Sequence, residues 1–191
     1  MKYHQHSPKV FTIAGFLSAQ ECTEYIALSE KVGYEVAKIN MGHSQRMVTG
    51  VRNNNRAFYT SEILAQTLWE RAAPFVPQEI GNSKAIGLNE LFRFYRYQPG
   101  QQFKGHFDQS YIRNEQEASY VTFMIYLNDG FTGGETTFEG FWIKPKQGTA
   151  LLFFHDLYHS GREVTQGVKY VLRTDVMYQL KASSALTSFT L

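Results

Sequence analysis

The chain has 191 residues, enough for one ordinary domain and short of two, and at this length about 70% of the unfolded surface is buried on folding without help from disulfides or a structural metal. Hydrophobic residues make up 43% and charged residues 19%, which excludes global disorder, and 15% aromatic content favours a β-rich core. Nineteen basic against 17 acidic residues leave a net charge of +2, too balanced for an electrostatic binder of nucleic acid or membrane.

Cys22 is the single cysteine, so an intrachain disulfide and a thiolate metal cage are both excluded, and any metal must sit on nitrogen and oxygen. The apolar run VFTIAGFL (10–17) is too short for a signal peptide or a membrane span, and the expected setting is a reducing, cytoplasmic one. Ser18 and Glu21 form an S-x-x-E capping box, with Leu17 and Cys22 as its hydrophobic staple, opening a helix to about Val32. Segment 41–56, MGHSQRMVTGVRNNNR, has no clear period and is taken as a loop or hairpin available for function. A second helix is expected from Ser61 to Ala73, with Leu64, Leu68 and Ala72 on its apolar face and Pro74 and Pro77 stopping it.

From Leu88 the hydrophobic period changes from 3.6 to 2, through LFRFYRYQ (91–98), YVTFMIYLN (120–128), GTALLFFH (148–155) and VKYVLRTDVMYQ (168–179). In the second strand Val121, Phe123, Ile125 and Leu127 make an apolar face opposite Thr122, Met124 and Tyr126. In the last, Lys169, Arg173 and Asp175 share a face with Val171 and Met177. One sheet face is therefore polar yet interior. A single domain over 1–191 is expected, mainly β within an α+β chain: helical support over about 16–80 on the outer face of the major sheet, and a jelly-roll core over about 88–180.

His106-Phe107-Asp108 puts two donors two residues apart, so that on an extended strand both can grip one ion. Chance alone supplies such a pair about half a time in a chain of this composition. The second half of the chain adds weight: His159 follows the strand GTALLFFH, and Lys169 lies ten residues beyond it on the polar face of the last strand. Two histidines and a carboxylate can form a facial triad on Fe(II), leaving three adjacent positions for a bidentate cosubstrate and dioxygen. Lys169 suits the cosubstrate's far carboxylate, a charge-assisted contact whose net value is limited by desolvation.

The strings RYQPGQQFKGHFD (96–108), VTFMIYLNDGFTGGETTF (121–138), KPKQGTALLFF (144–154) and HSGREVTQGVKY (159–170) together resemble the prolyl 4-hydroxylase group of the 2-oxoglutarate and Fe(II)-dependent dioxygenases. FLSAQEC (16–22) and VRNNNR (51–56) match its entry helix and an arginine-bearing loop more loosely. The resemblance implies a double-stranded β-helix of cupin-like type. It implies His106, Asp108 and His159 as iron ligands, Lys169 on the 2-oxoglutarate C5 carboxylate and Tyr97 as a further 2-oxoglutarate contact. It also implies oxidative decarboxylation of 2-oxoglutarate to succinate coupled to hydroxylation of a C–H bond, with dioxygen consumed and ascorbate as reductant. Asp108 favours hydroxylation, since halogenases of the wider superfamily lose this carboxylate. Three departures concern the acceptor: Arg162-Glu163-Val164 replaces the usual Cys-Pro-Val, VLRTDVMY replaces a Trp-flanked run, and 109–118 is short.

Several residues carry two readings. His155 rivals His159 as the distal ligand, but the tenth residue after it is Thr165, which cannot neutralise a carboxylate, so His155 is assigned strand-end or supporting hydrogen bonds. Arg173 either contacts 2-oxoglutarate or substrate, or makes an internal ion pair with Asp175 or Glu135. Thr122 and Tyr126 line the pocket or simply pack. His4, His6 and His43 have no supporting partners. Arg46, Arg52, Arg56 and Arg113, with Tyr59 and Tyr111, are expected near the mouth, favouring a peptide or small-molecule acceptor with an acidic group. The rival function is a jelly-roll module that binds metal or ligand without turnover. Structural zinc is disfavoured because three donors do not close a four-ligand site.

Overall fold

The computed structural model describes residues 1–36 and 52–181, and the backbone of 39–40 and 45–46. The chain opens with a hairpin, β1 (Lys2–Ser7) and β2 (Val10–Ala14), before helix α1 (Ala19–Val32). Strand β3 (Asn55–Thr60) leads into α2 (Glu62–Ala72), and β4 (Ser83–Leu88), β5 (Leu91–Tyr97), β6 (Phe103–His106) and β7 (Glu117–Tyr126) follow. The remaining long elements are β8 (Thr136–Phe138), β9 (Phe141–Ile143), β10 (Ala150–Phe154), β11 (His159–Gly161) and β12 (Lys169–Leu180).

Two antiparallel sheets face each other. The major sheet runs β1-β2-β10-β7-β12-β5-β3, with the short Glu35–Val36 strand at its edge and β4 paired to the far end of β12; the minor sheet runs β6-β11-β8-β9. This is the jelly-roll architecture expected from the alternating segments, with β12 and β7 at its centre. Antiparallel pairing sets Thr122 opposite Asp175, Met124 opposite Arg173 and Tyr126 opposite Val171, while on the other side of β12 Lys169 pairs with Tyr97 and Val171 with Tyr95. All these side chains therefore share the face turned towards the minor sheet.

The opposite face of the major sheet is apolar. Phe92, Phe94, Val121, Phe123, Ile125, Leu127, Leu172 and Val176 pack there with Leu64, Leu68 and Ala72 of α2 and with Leu17 and Cys22 beside α1. The capping box of α1 is complete: the Glu21 amide donates to Ser18 Oγ at 3.2 Å, and the Ser18 amide donates to the Glu21 carboxylate at 2.8 Å. Ser61 Oγ accepts from the Leu64 amide at 3.1 Å and starts α2, which passes at Ala73–Phe75 into a short 3₁₀ turn containing Pro74.

The order of elements departs from the expected helix-then-strand gradient. VFTIAGFL contains β2, which pairs with β10 and is buried over Val10–Ile13, and such a doubly covered strand has no alternation to betray it. β3 starts inside the segment taken as a loop, and β4 begins before Leu88. The side chains of most of 41–56, Arg46 and His43 among them, lie outside the described residues.

Candidate active site

β6 ends at His106 and β11 begins at His159; the two are directly paired across the minor sheet, with ring centroids 4.3 Å apart. Asp108 follows two residues after His106, and one ligand atom from each of His106, Asp108 and His159 lies within 4.8 Å of the others. Backbone carbonyls settle the imidazole tautomers. His106 Nδ1 is 2.8 Å from Lys104 O, and His159 Nδ1 is 3.0 Å from Leu157 O, so each Nδ1 carries the proton and donates it. Both Nε2 atoms then face the Asp108 carboxylate, at 3.6 Å from Oδ1 for His106 and 3.6 Å from Oδ2 for His159. Burial pushes the His159 pKa down to about 4 despite the nearby Asp108, so the ring is neutral at pH 7. Two imidazole Nε2 atoms and a carboxylate, converging on one point, make a donor set suited to a divalent cation.

Asp108 is held from its other side. Thr122 Oγ1 donates to Asp108 Oδ2 at 2.6 Å, and Arg173 Nη2 lies 3.1 Å from the same oxygen. Burial opposes the carboxylate's charge, but the Arg173 guanidinium, helped by the Thr122 hydroxyl, outweighs it and keeps its pKa well below the usual range. Phe103 stacks on the His106 ring at 3.5 Å between centroids, and Phe153 lies 4.5 Å from the His159 ring, so both imidazoles are fixed by aromatic walls.

These groups line a cavity that also takes in Tyr95, Tyr97, Met124, Thr136, Lys169 and Val171. Lys169 is 3% exposed, donates to Gly134 O at 2.6 Å and lies between the rings of Tyr97 and Tyr126, at 5.2 and 5.4 Å from their centroids. Burial pushes its pKa down to about 7, only partly countered by Glu135. Tyr97 is pushed up to about 12 by burial, partly offset by Arg52. For Tyr95 the surrounding Arg52, Arg173 and Arg93 overcome burial and lower it to about 8.

All six residues singled out for metal and cosubstrate, His106, Asp108, His159, Tyr97, Lys169 and Arg173, come together at this cavity. Arg173 is engaged by Asp108 and by Asp175, each at 3.1 Å. Thr122 is more than packing, since it holds Asp108. His155 stands apart from the triad: it is buried, with Nε2 3.5 Å from Asp175 Oδ1. It lines a second, more open cavity with Ile80, Phe107, Ser110, Tyr120 and Phe154, and Asp108 forms part of the wall of both.

Among the described residues, the arginines expected at the mouth are engaged by other partners. Arg113 pairs with Glu90 at 2.7 Å and Glu117 at 2.9 Å, and borders a different concavity beside α2. Arg56 lies over Phe58 and 3.5 Å from Glu35. Arg52 is sandwiched between Tyr95 and Phe103, 4.4 Å from each ring, with Nε donating to Asn54 Oδ1. The sequence carries no local mark of the roles of Phe103, Phe153 and Tyr95, whereas the ion pair with Asp175 is one of the two readings given for Arg173. The signal available for Asp175 was its shared face with Lys169 and Arg173.

Comparison with known proteins places the geometry in context. Residues 92–174 match the family model described as the 2OG-Fe(II) oxygenase superfamily. Probable prolyl 4-hydroxylase 6 of Arabidopsis thaliana is 29% identical over 179 residues, covering 78% of this chain and 59% of its own; the chain spans 53–59% of the first three such relatives. Among solved structures, viral collagen prolyl hydroxylase from Paramecium Bursaria Chlorella virus-1, as its 2OG complex, superposes with a TM-score of 0.63 at 23% identity, over 91% of this chain and 98% of its own. A Trichoplax adhaerens prolyl hydroxylase, solved with a hypoxia inducible factor oxygen degradation domain peptide fragment, gives 0.67 at 16% identity, over 91% and 84%. These two likenesses establish the double-stranded β-helix fold.

Proposed function

We propose that the chain is an Fe(II)- and 2-oxoglutarate-dependent hydroxylase of the prolyl 4-hydroxylase-like group, a reading supported by the match of residues 92–174 to the 2OG-Fe(II) oxygenase superfamily and by the likeness to prolyl 4-hydroxylases. The observation that carries this reading is the convergence of two imidazoles and one carboxylate at the rim of a cavity that also holds a buried lysine. His106, Asp108 and His159 would hold the metal. Lys169 would pair with the far carboxylate of 2-oxoglutarate, and Tyr97 would close the pocket around it. Bound together with dioxygen, ferrous iron and 2-oxoglutarate supply an oxidant that hydroxylates an unactivated C–H bond and leaves succinate and carbon dioxide.

The protein's own residues contribute position and shielding. Phe103 and Phe153 fix the imidazoles and keep water from their flanks, while Thr122 and Arg173 fix the carboxylate. Asp108 keeps the site a hydroxylase site, because the carboxylate occupies the position a halide would need. The second cavity, sharing Asp108 with the first, is the approach assigned to the acceptor, a peptide or protein residue or a small molecule. Its walls of Ile80, Phe107, Tyr120 and Phe154 favour an apolar body over the acidic group suggested by the arginines. Ascorbate as reductant and a cytoplasmic setting belong to the same reading; the second is supported by Cys22, the sole cysteine, being buried and unpaired. Among the described residues no helix is long and apolar enough to cross a membrane.

The test is anaerobic reconstitution with Fe(II) and 2-oxoglutarate, admission of dioxygen, and assay of succinate alongside mass spectrometry for one added oxygen atom on candidate acceptors. Stoichiometric metal and 2-oxoglutarate binding with no succinate under any acceptor would support the non-catalytic binding module instead.

A further inference from the structure

Among the described residues that line the second cavity, His155 is the one polar side chain that is buried and has no hydrogen-bond partner on either ring nitrogen. The residue is 6% exposed and directly follows β10, and its amide donates to Tyr120 O at 2.9 Å, so the sheet fixes where the imidazole stands. Asp175 Oδ1 lies 3.5 Å from Nε2, close enough for its charge to act on the ring without making a hydrogen bond. Asp175 is itself held by Arg93 and Arg173, each at 3.1 Å, and is not free to swing towards the ring. The other polar groups of the cavity have different settings: Asp108 belongs to the triad, Asp156 pairs with Lys9, Ser110 is exposed and Tyr120 is half-buried. A buried imidazole without a partner costs stability that a ligand's hydrogen bond restores.

We propose that His155 determines acceptor specificity: its Nδ1 accepts a hydrogen bond from a hydroxyl or N–H group of the acceptor, whose apolar body rests on Ile80, Phe107, Tyr120 and Phe154. This rests on the hydroxylase reading above, and it names the class of acceptor that reading leaves open. A carboxylate facing Nε2 favours the proton on that nitrogen, which leaves Nδ1 with a lone pair for a donor. An acidic group at the same place would meet that lone pair and the charges of Asp108 and Asp156, and a pure hydrocarbon would leave the imidazole unpaired. The acceptor is therefore an amphipathic molecule or residue with one hydrogen-bond donor beside the carbon that is oxidised. A site built around such a bond rejects the analogue that lacks the donor far more strongly than an apolar wall distinguishes shapes.

The test uses protein loaded with Zn(II) and 2-oxoglutarate, which does not turn over, and two pairs of probes matched in shape. One pair is N-acetyl-L-prolinamide against N-acetyl-L-proline methyl ester; the other is N-acetyl-L-serine methyl ester against its O-methyl ether. Dissociation constants are read by ligand-observed NMR. In at least one pair the donor-bearing member should bind the native protein about tenfold more tightly. His155→Phe and His155→Leu should each remove that preference, and His155→Gln, which keeps a hydrogen-bonding group, should retain most of it. The ratio within a pair is the readout because a general loosening of the fold weakens both members alike. Equal binding within both pairs by the native protein, tighter binding of the ester or ether, no binding of any probe, or a preference that survives in folded His155→Phe or His155→Leu overturns the role of His155. The preference present as expected, but with no succinate released when Fe(II) and dioxygen replace Zn(II), overturns instead the hydroxylase reading beneath it.

Discussion

His106 Nδ1 and His159 Nδ1 each face a backbone carbonyl, Lys104 O or Leu157 O, and both Nε2 atoms are turned to the Asp108 carboxylate. Such a cluster of ligand atoms is destabilising when empty and favourable around a cation. Alanine at His106, Asp108 or His159 is therefore expected to reduce metal affinity by at least about a hundredfold, measured by Co(II) titration, while His155→Ala, outside the cluster, keeps native affinity. Retention of metal by His159→Ala with its loss in His155→Ala would reverse the assignment. Lys169 adds a pH dependence. Its pKa of about 7 means that at pH 8 the free protein holds it mostly neutral, and pairing with a carboxylate must restore the proton. Affinity for 2-oxoglutarate should fall about tenfold per pH unit above 7, with close to one proton taken up on binding at pH 8, read by calorimetry in buffers of different ionisation enthalpy. A pH-independent affinity between 7 and 9 would show that Lys169 is not the anchor. The sign for folding is opposite: because the folded pKa lies below the unfolded value, Lys169 weakens the free protein below pH 7, and this penalty is relieved as pH rises from about 7 to the unfolded value.

Strand β12 shows why the elements carrying the site were legible while the edges of the fold were not. Alternation along VKYVLRTDVMYQ separates Lys169, Val171, Arg173 and Asp175 from Tyr170, Leu172, Thr174 and Val176, and the register with β5 and β7 keeps that separation in three dimensions. Capping chemistry likewise announces α1 and α2, since Ser18, Glu21 and Ser61 act within their own first turns. The hairpin β1–β2 has no such local mark: Val10–Ile13 is buried throughout, Thr12 included, and its pairing partner, β10, lies about 140 residues downstream. Pairings between residues far apart, such as Thr122 with Asp108 or Arg113 with Glu90, are equally absent from any short window, which is why the arginines were placed at the mouth. One distant contact makes a sharp prediction. Gly148 precedes β10 with φ +73°, and a Cβ there would stand 2.2 Å from the Leu17 carbonyl at the entry to α1. Gly148→Ala should cost about 2 kcal/mol or more, from the left-handed backbone and the clash together, measured by urea denaturation. A loss below about 0.5 kcal/mol would mean that the α1 entry and the β10 turn do not meet as described.

At the scale of the molecule, the apolar core and the metal site are separate structures on opposite faces of one sheet. The larger apolar cluster lies between the helices and the outer face, and contains none of His106, Asp108, His159 or Lys169; the smaller one, with Tyr95, Tyr97, Leu151, Phe153 and Val171, forms the wall behind the cavity. The fold is thus expected to stand without metal, as the size of the chain already suggested. Metal added at a hundred times its dissociation constant stabilises the folded state by about 2.7 kcal/mol through mass action alone. In a chain of 191 residues this raises Tm by about 5–10 °C, since each kcal/mol is worth about 2–4 °C at this size. Chelator-treated protein should retain native circular dichroism and melt cooperatively, and Lys169→Ala should show the same metal-induced rise because its role is downstream of metal binding. The structural-zinc reading predicts the reverse, a metal-free chain without a cooperative transition. A differential scanning calorimetry trace of the chelated protein therefore separates a catalytic ion, carried by a finished fold, from an ion that finishes the fold.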